Sequence, residues 1–307
     1  MSSTDISSPS RTRPQRTDGT TVARWLRASI DDGLLREAAL VAGAILAYFA
    51  IRNLTAGAPA EAFANGERMV DLERSLGVAW EDAVQASIVG RDSLVMLANW
   101  VYIWGHWPVI LSTAVVLYVW RPDRYYLLRN TLFISGGIGF LFFAFVPVAP
   151  PRLLKLGLVD TVSNQSEAYR ALQPPGLTNQ YAALPSLHVG WNLAVGIVLF
   201  MTTTHLAVRA VAVLSPLVMT FAVLATANHF VLDVAAGTAV VLVGLAGAHA
   251  IEKRRAVAAA TLARDGPTVP VEPPRGRAAP VLRRAPRRES SRRSPRRRAP
   301  QADPCRS

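Results

Sequence analysis

Two histidines and an aspartate stand where long apolar runs begin. His188 closes Ala183-Leu184-Pro185-Ser186-Leu187-His188, and His229 and Asp233 lie in Asn228-His229-Phe230-Val231-Leu232-Asp233. Ionisable groups at the edge of a hydrocarbon slab are costly and usually functional. His229 and Asp233 are four residues apart, so on a helix they share a face. A carboxylate there accepts one imidazole N–H and leaves the other nitrogen as a directed nucleophile, with the logic of a serine triad but no serine. Asp233 also stabilises the positive charge that arises if the imidazole bonds to phosphorus. His188 sits just inside a helix opened by Pro185 and Ser186, whose exposed N–H groups suit an anion. It is placed to protonate a leaving oxygen and then deprotonate an acceptor. This is chemistry for phosphate esters, and it requires neither a metal nor another cofactor. A metal held by His188, His229 and Asp233 is the rival arrangement, and activity that survives a strong chelator excludes it.

Other polar residues have two readings each. In Ala149-Pro150-Pro151-Arg152, Arg152 offers a planar fork for phosphate oxygens and Lys155 a further positive charge; both also fit as cations snorkelling to an interface. Ser186 is a further substrate-binding candidate, while Asn228 and Tyr181 either line the site or satisfy local backbone groups. His106, in Trp104-Gly105-His106-Trp107-Pro108, either contacts substrate or belongs to a structural aromatic belt. His205 and His249 fall at the other ends of their runs and read as structural.

The elements that must position these residues are membrane helices. About half of the 307 residues are hydrophobic, in runs too long for a soluble core. Runs near 34–51, 95–120, 127–148, 186–202, 207–226 and 229–251 each approach the ~20 residues that cross a bilayer. The expected fold is an all-α integral membrane protein with six transmembrane helices and its catalytic residues at the extracytoplasmic helix mouths. Residues 53–93 mix acidic and apolar positions, as short interfacial amphipathic helices do. The loop 149–184, with Pro174-Pro175-Gly176, reads as irregular.

Charge sets the orientation. Residues 251–307 hold 16 Lys/Arg against 5 Asp/Glu, while residues 1–250 hold 17 against 16, so the net +12 belongs almost wholly to the tail. Cytoplasmic flanks are rich in Lys and Arg. Arg24, Arg27 and Arg36, the 121–129 connector, Arg209 and the tail therefore go inside, both termini with them. That leaves Arg152, His188, His229 and Asp233 together on the extracytoplasmic face. Residues 1–33 read as a disordered cytoplasmic segment, 34–251 as the catalytic domain and 252–307 as a disordered Arg/Pro-rich tail. The Arg clusters at 283–284, 287–288 and 296–298 suit anionic lipid headgroups; without interleaved aromatics they give no specific sign of nucleic acid. A signal peptide does not fit the long polar lead, although Ala58-Pro59-Ala60 faintly matches a cleavage site. The single cysteine, Cys305, excludes an internal disulfide. The abundance of Ala, Arg and Pro suits a high-GC bacterium and its cell membrane.

Pro185-Ser186-Leu187-His188 and His229-x-x-x-Asp233 resemble the second and third motifs of the type 2 phosphatidic acid phosphatase superfamily, and Ala149-Pro150-Pro151-Arg152 stands where its first motif lies. The resemblance covers about 90–250. It implies six membrane helices, a phosphohistidine on His229 oriented by Asp233, and His188 as acid and base. The phosphatases usually carry Lys and Arg-Pro in the first motif and Ser-Arg ahead of the third-motif histidine, where this chain has Ala222 and Val223. Leu187 also replaces the usual Gly. The Pro-Ser-Leu-His and Ala-Pro-Pro forms are more similar to the inositol phosphorylceramide synthase branch. A pocket with fewer cations also matches a singly charged diester better than a monoester.

The resulting expectation is a phosphotransferase that moves a phosphorylated headgroup from a phospholipid to an alcohol, in the manner of an inositolphosphotransferase. A lipid phosphate phosphatase, acting on phosphatidic acid or a polyprenyl phosphate with water as acceptor, shares every named residue. A non-catalytic membrane scaffold is the alternative from another class; it requires that His188→Ala and His229→Ala leave function intact.

Overall fold

A chain in hydrocarbon must satisfy its own backbone, and a helix does so within one segment. The computed structural model describes residues 32–55, 59–165 and 179–265, and the long elements among them are all helices. The chain divides into Met1–Ala260 and Thr261–Ser307. Of the second unit only the end of one helix, 261–265, is described. The polar N-terminal segment, Pro174-Pro175-Gly176 and the Arg clusters of the tail lie outside the described residues.

Helix α1 (Asp32–Thr55) precedes an amphipathic helix, α2 (Pro59–Leu76), and a short one, α3 (Glu81–Ala86). Then come α4 (Asp92–Trp104), α5 (Trp107–Trp120) and α6 (Pro122–Phe145). A 3₁₀ turn (Pro151–Leu153) and a one-turn helix, α7 (Thr161–Gln165), follow in the long loop, and α8 (Leu187–Thr202), α9 (Leu206–Ala225) and α10 (Val231–Asp265) complete the order. Helix α8 packs along α9 and also meets α5 and α6, while α9 lies on α3 and α4. Leu117, Leu127, Leu128, Val195, Val198 and Val241 fill the centre of this packing.

Among the described residues three helices are long and apolar enough to cross a membrane: α6, α9 and α10, the last over Val231–Leu262. A fourth crossing results if α4 and α5 are one span, and α8, at 16 residues, is shorter. The structure departs from the sequence expectation at two places. The run at 95–120 is not one helix but two, bent by 44° at Gly105-His106. Gly105 ends α4, and Pro108, which has no N–H to give, is accepted in the first turn of α5. The last helix runs to Asp265, fourteen residues past the expected end of the sixth run, because 252–265 is rich in Ala and Arg, both strong helix formers.

The two ends of the bundle differ in charge. At one end the Arg121 guanidinium donates to the Thr202 carbonyl and Arg209 donates to Thr203, tying the 121–122 and 202–206 turns together. Near it Arg129 is ion-paired with Glu37, which also accepts from the Tyr125 hydroxyl at 3.0 Å, fastening α1 to α6. His188 lies at the opposite end of α8.

Candidate active site

The site is assembled from three turns that lack regular structure of their own and must be held by partners. Residues 147–149 are one. The Val148 N–H donates to the Tyr181 carbonyl at 2.9 Å, and the Ala183 N–H donates back to Val148, a parallel bridge across the long loop. Helix α2 grips the same turn: the Ala149 N–H donates to Ala62, and Asn65 donates to Pro147. The bridge fixes Ala183, whose carbonyl oxygen is 2.9 Å from His229 Nδ1. A carbonyl only accepts, so Nδ1 carries the proton and Nε2 has the free lone pair in the neutral ring.

The second turn joins α9 to α10. Ala227 takes a positive φ of 52°, and the Asn228 and His229 N–H groups both return to the Val223 carbonyl. His229 thus precedes α10 instead of lying on it, which corrects the expectation of a shared helical face. It still reaches Asp233: Nδ1 is 3.5 Å from Oδ2, farther than from the Ala183 carbonyl. Nδ1 is therefore hydrogen-bonded to Ala183, with the Asp233 carboxyl just beyond it. Asp233 Oδ2 also accepts the Phe230 N–H at 2.8 Å, and the residue is fully buried.

The third turn leads into α8. The Ser186 N–H donates to the Asp233 carbonyl at 2.9 Å. Gly237 permits this approach, since a Cβ there would stand 2.2 Å from the Ser186 carbonyl oxygen, and a Cβ on Gly190 would stand 2.7 Å from the Gly237 carbonyl oxygen. This contact brings the His188 and His229 rings to 5.8 Å between centroids. Gly237→Ala is accordingly expected to part α8 from α10 and cut turnover about 100-fold, the scale of an ~1 Å misplacement. Assay of the purified variant beside its thermal unfolding curve checks this.

His188 is sandwiched. Tyr102 stacks on one side at 4.6 Å, and His106 lies 4.3 Å away. His106 stacks in turn on Trp191, whose indole N–H is held by Ser135. The break between α4 and α5 thus delivers a third imidazole to the cluster. Among the described residues His106 Nδ1, Ser186 Oγ and Asp233 Oδ1 are buried without a hydrogen-bond partner. Three such atoms beside two further imidazoles suit a polar ligand.

Arg152 is anchored to the same turn as His229. Its N–H donates to Ala227, its Nε donates to Asn228 Oδ1 at 2.8 Å, and its Nη1 pairs with Asp160 at 3.0 Å. Asn228 is thus engaged in aiming Arg152, and its amide nitrogen is spent on Thr226. Tyr181 lies edge-on to Phe63 of α2 and supports the loop. Lys155 is exposed beyond the 3₁₀ turn, and no contact ties it to the histidines. His249 bonds within its own helix, and His205 caps α9 at the far end.

Several participants escaped the sequence reading: the Ala183 carbonyl, Asp160, Tyr102, Trp191, Glu73 and Glu81. Glu73 left a signal, since it falls on the buried stripe Ala62, Gly66, Val70 of α2, where a carboxylate is out of place. Among the described residues no group of three or more His, Cys, Asp or Glu is arranged to hold a metal ion. A family model described as the PAP2 superfamily matches residues 67–247. Comparison with curated proteins and with solved structures returned no match.

Proposed function

This chain belongs to the PAP2 superfamily, whose members are phosphatase-type membrane enzymes acting on lipid phosphates, and from that premise we propose that it cleaves a lipid phosphoester through His229 and passes the phosphorylated headgroup to an alcohol. The observation that carries the covalent step is the Ala183 carbonyl on His229 Nδ1, which leaves Nε2 as the nucleophile. Nε2 attacks phosphorus, the bond to the lipid oxygen breaks, and His188 gives that oxygen its proton. The phosphorylated ring is then a cation, stabilised by buried Asp233. In the second half His188 takes the proton of the acceptor hydroxyl, whose oxygen attacks phosphorus and restores neutral His229.

Arg152, aimed by Asn228, binds the phosphate oxygens, and Ser186 and His106 supply further polar contacts. The preference for a diester over a monoester is supported by Asp160, which already takes one edge of the guanidinium. A half-neutralised cation suits a single negative charge better than two. With α1 and α8 counted as spans beside the bent α4–α5 pair, α6, α9 and α10, the chain crosses six times. The Arg121 and Arg209 end then faces the cytoplasm with both termini, and the histidines face outward.

The test offers purified enzyme a labelled phospholipid diester with an added alcohol, and separately a labelled lipid phosphomonoester, both in chelator, with His229→Ala as control. Transfer from the diester to the alcohol is the expected result. Release of inorganic phosphate from the monoester alone replaces transfer with hydrolysis. An absence of His229-dependent turnover on either overturns the enzymatic reading.

A further inference from the structure

A helix leaves its first N–H groups without intrahelical partners, and a side-chain oxygen at the N-cap usually takes one of them. Helix α10 has Phe230 at that position, which offers none. Instead three carboxylates from three helices converge on the helix end. The Phe230 N–H goes to Asp233, the Val231 N–H to Glu81 of α3 at 2.8 Å, and the Leu232 N–H to Glu73 of α2 at 2.7 Å. Glu73 and Glu81 are 1% and 6% exposed, so neither N–H has water as a ready substitute.

We infer that Glu73 and Glu81 are positioning residues, a clamp supplied by the two amphipathic helices that caps the catalytic helix so that Asp233 stays beside His229. This rests on the reaction proposed above. Asp233 is three residues inside α10 and is itself a capping side chain. Its Oδ2 is shared between the Phe230 N–H and His229 Nδ1. With the clamp removed, Val231 and Leu232 present two buried, unpaired donors, which the fold must re-satisfy. Asp233, which already accepts from the adjacent Phe230 N–H, is the carboxylate left at this helix end, and turning towards them takes it from His229. The clamp therefore acts on the rate of the covalent step more than on lipid binding.

Three buried carboxylates at one helix end do not all ionise together. Burial foremost, with Glu81 and Asp233 adding repulsion against the favourable Leu232 N–H, pushes the Glu73 carboxyl up to about 8. Arg74 and Asp82 line the neighbouring pocket with Glu73 and Glu81. At neutral pH Glu73 is thus a neutral acid, whose carbonyl oxygen still accepts from Leu232. As pH rises through 8 Glu73 gains a negative charge that Glu81 and Asp233 disfavour, and the clamp loosens. The folded state holds this proton more tightly than the unfolded chain, so its stabilising contribution is complete below about pH 4.5 and is lost as pH rises through 8.

The experiment compares wild type with Glu73→Gln, Glu81→Gln and Glu81→Ala, reading kcat and KM from pH 6 to 9.5 and amide exchange at residues 230–234. Expected are a tenfold or greater fall in kcat for Glu81→Ala with KM within about threefold, substantial recovery in Glu81→Gln, and an alkaline fall in wild-type kcat that Glu73→Gln lacks. Exchange at Val231 and Leu232 should quicken in Glu81→Ala. If Glu81→Ala does not fold, the two glutamine variants carry the test through the pH profile. Unchanged exchange together with unchanged kcat, or an alkaline limb retained in Glu73→Gln, overturns the clamp. Faster exchange in a protein without His229-dependent turnover overturns the reaction and leaves the clamp standing.

Discussion

His229→Ala is expected to lower turnover by roughly 10⁴-fold or more, to the background of the assay, whichever alcohol serves as acceptor. The reasoning is geometric. His229 is 4% exposed, its Nδ1–H is committed to the Ala183 carbonyl, and the turn that carries it is locked by Ala227 and by two N–H bonds to Val223. Among the described residues neither of the two imidazoles beside it is held in that way. His188 stacks on Tyr102 and His106 on Trp191, the two imidazoles lying tilted to each other, and among the described residues neither has a carbonyl fixing the tautomer at Nδ1. Loss of His229 therefore removes the nucleophile with no substitute in line. Denaturing quench of the wild-type enzyme with labelled substrate should trap phosphorus on protein, labile to acid and stable to base as a phosphorus–nitrogen bond is, and the variant should trap none. The substitution strands the Ala183 carbonyl, a cost of about 1–3 kcal/mol, so a thermal unfolding curve must show that the inactive protein is folded. Turnover above a tenth of wild type in folded His229→Ala removes the covalent mechanism.

Much of the chemistry was legible because it is local. A histidine four residues from an aspartate, at the start of an apolar run, marks a possible pair whatever the exact backbone. The helix boundary was placed two residues early, yet the pairing survived because the Ala227 turn folds His229 back over the first turn of α10. The break at Gly105-His106 was also written in the chain, as a glycine two residues ahead of Trp-Pro, but hydropathy runs smoothly across it and hid the bend. What could not be read is long-range. The orienting carbonyl of Ala183 belongs to a residue 46 positions before His229, and a backbone group has no signature in residue type. Glu73 and Glu81 meet α10 across 159 and 150 positions, and without the fold they are two acids among many in a mixed segment. Arg152 was singled out as a phosphate fork, whereas Asp160, which shares it, sits in a loop where an acid excites no notice.

His188→Ala is expected to cost about 10²- to 10³-fold on a natural lipid ester, within the usual range for a lost general acid, and far less on an ester of an acidic phenol. An alkoxide leaving group needs its proton as the bond to phosphorus breaks, and a phenolate of low basicity does not. The ring lies 5.8 Å from that of His229 between centroids, and its other ring neighbours are Tyr102 at 4.6 Å and His106 at 4.3 Å. With the imidazole gone, Nε2 of His229 still attacks, so the first half-reaction on an activated ester should survive and labelled phosphoenzyme should accumulate. The second half-reaction, which needs a base for the acceptor hydroxyl, should become limiting. Quenched time courses on the two esters separate these effects. A burst of phenol followed by a slow steady state is the signature of an acid and base at position 188. Equal losses on both esters, with no burst, would mean that His188 shapes the pocket and that the proton travels by another route, for which His106, 4.3 Å from it between ring centroids and with a buried nitrogen that has no hydrogen-bond partner among the described residues, is the first residue to replace.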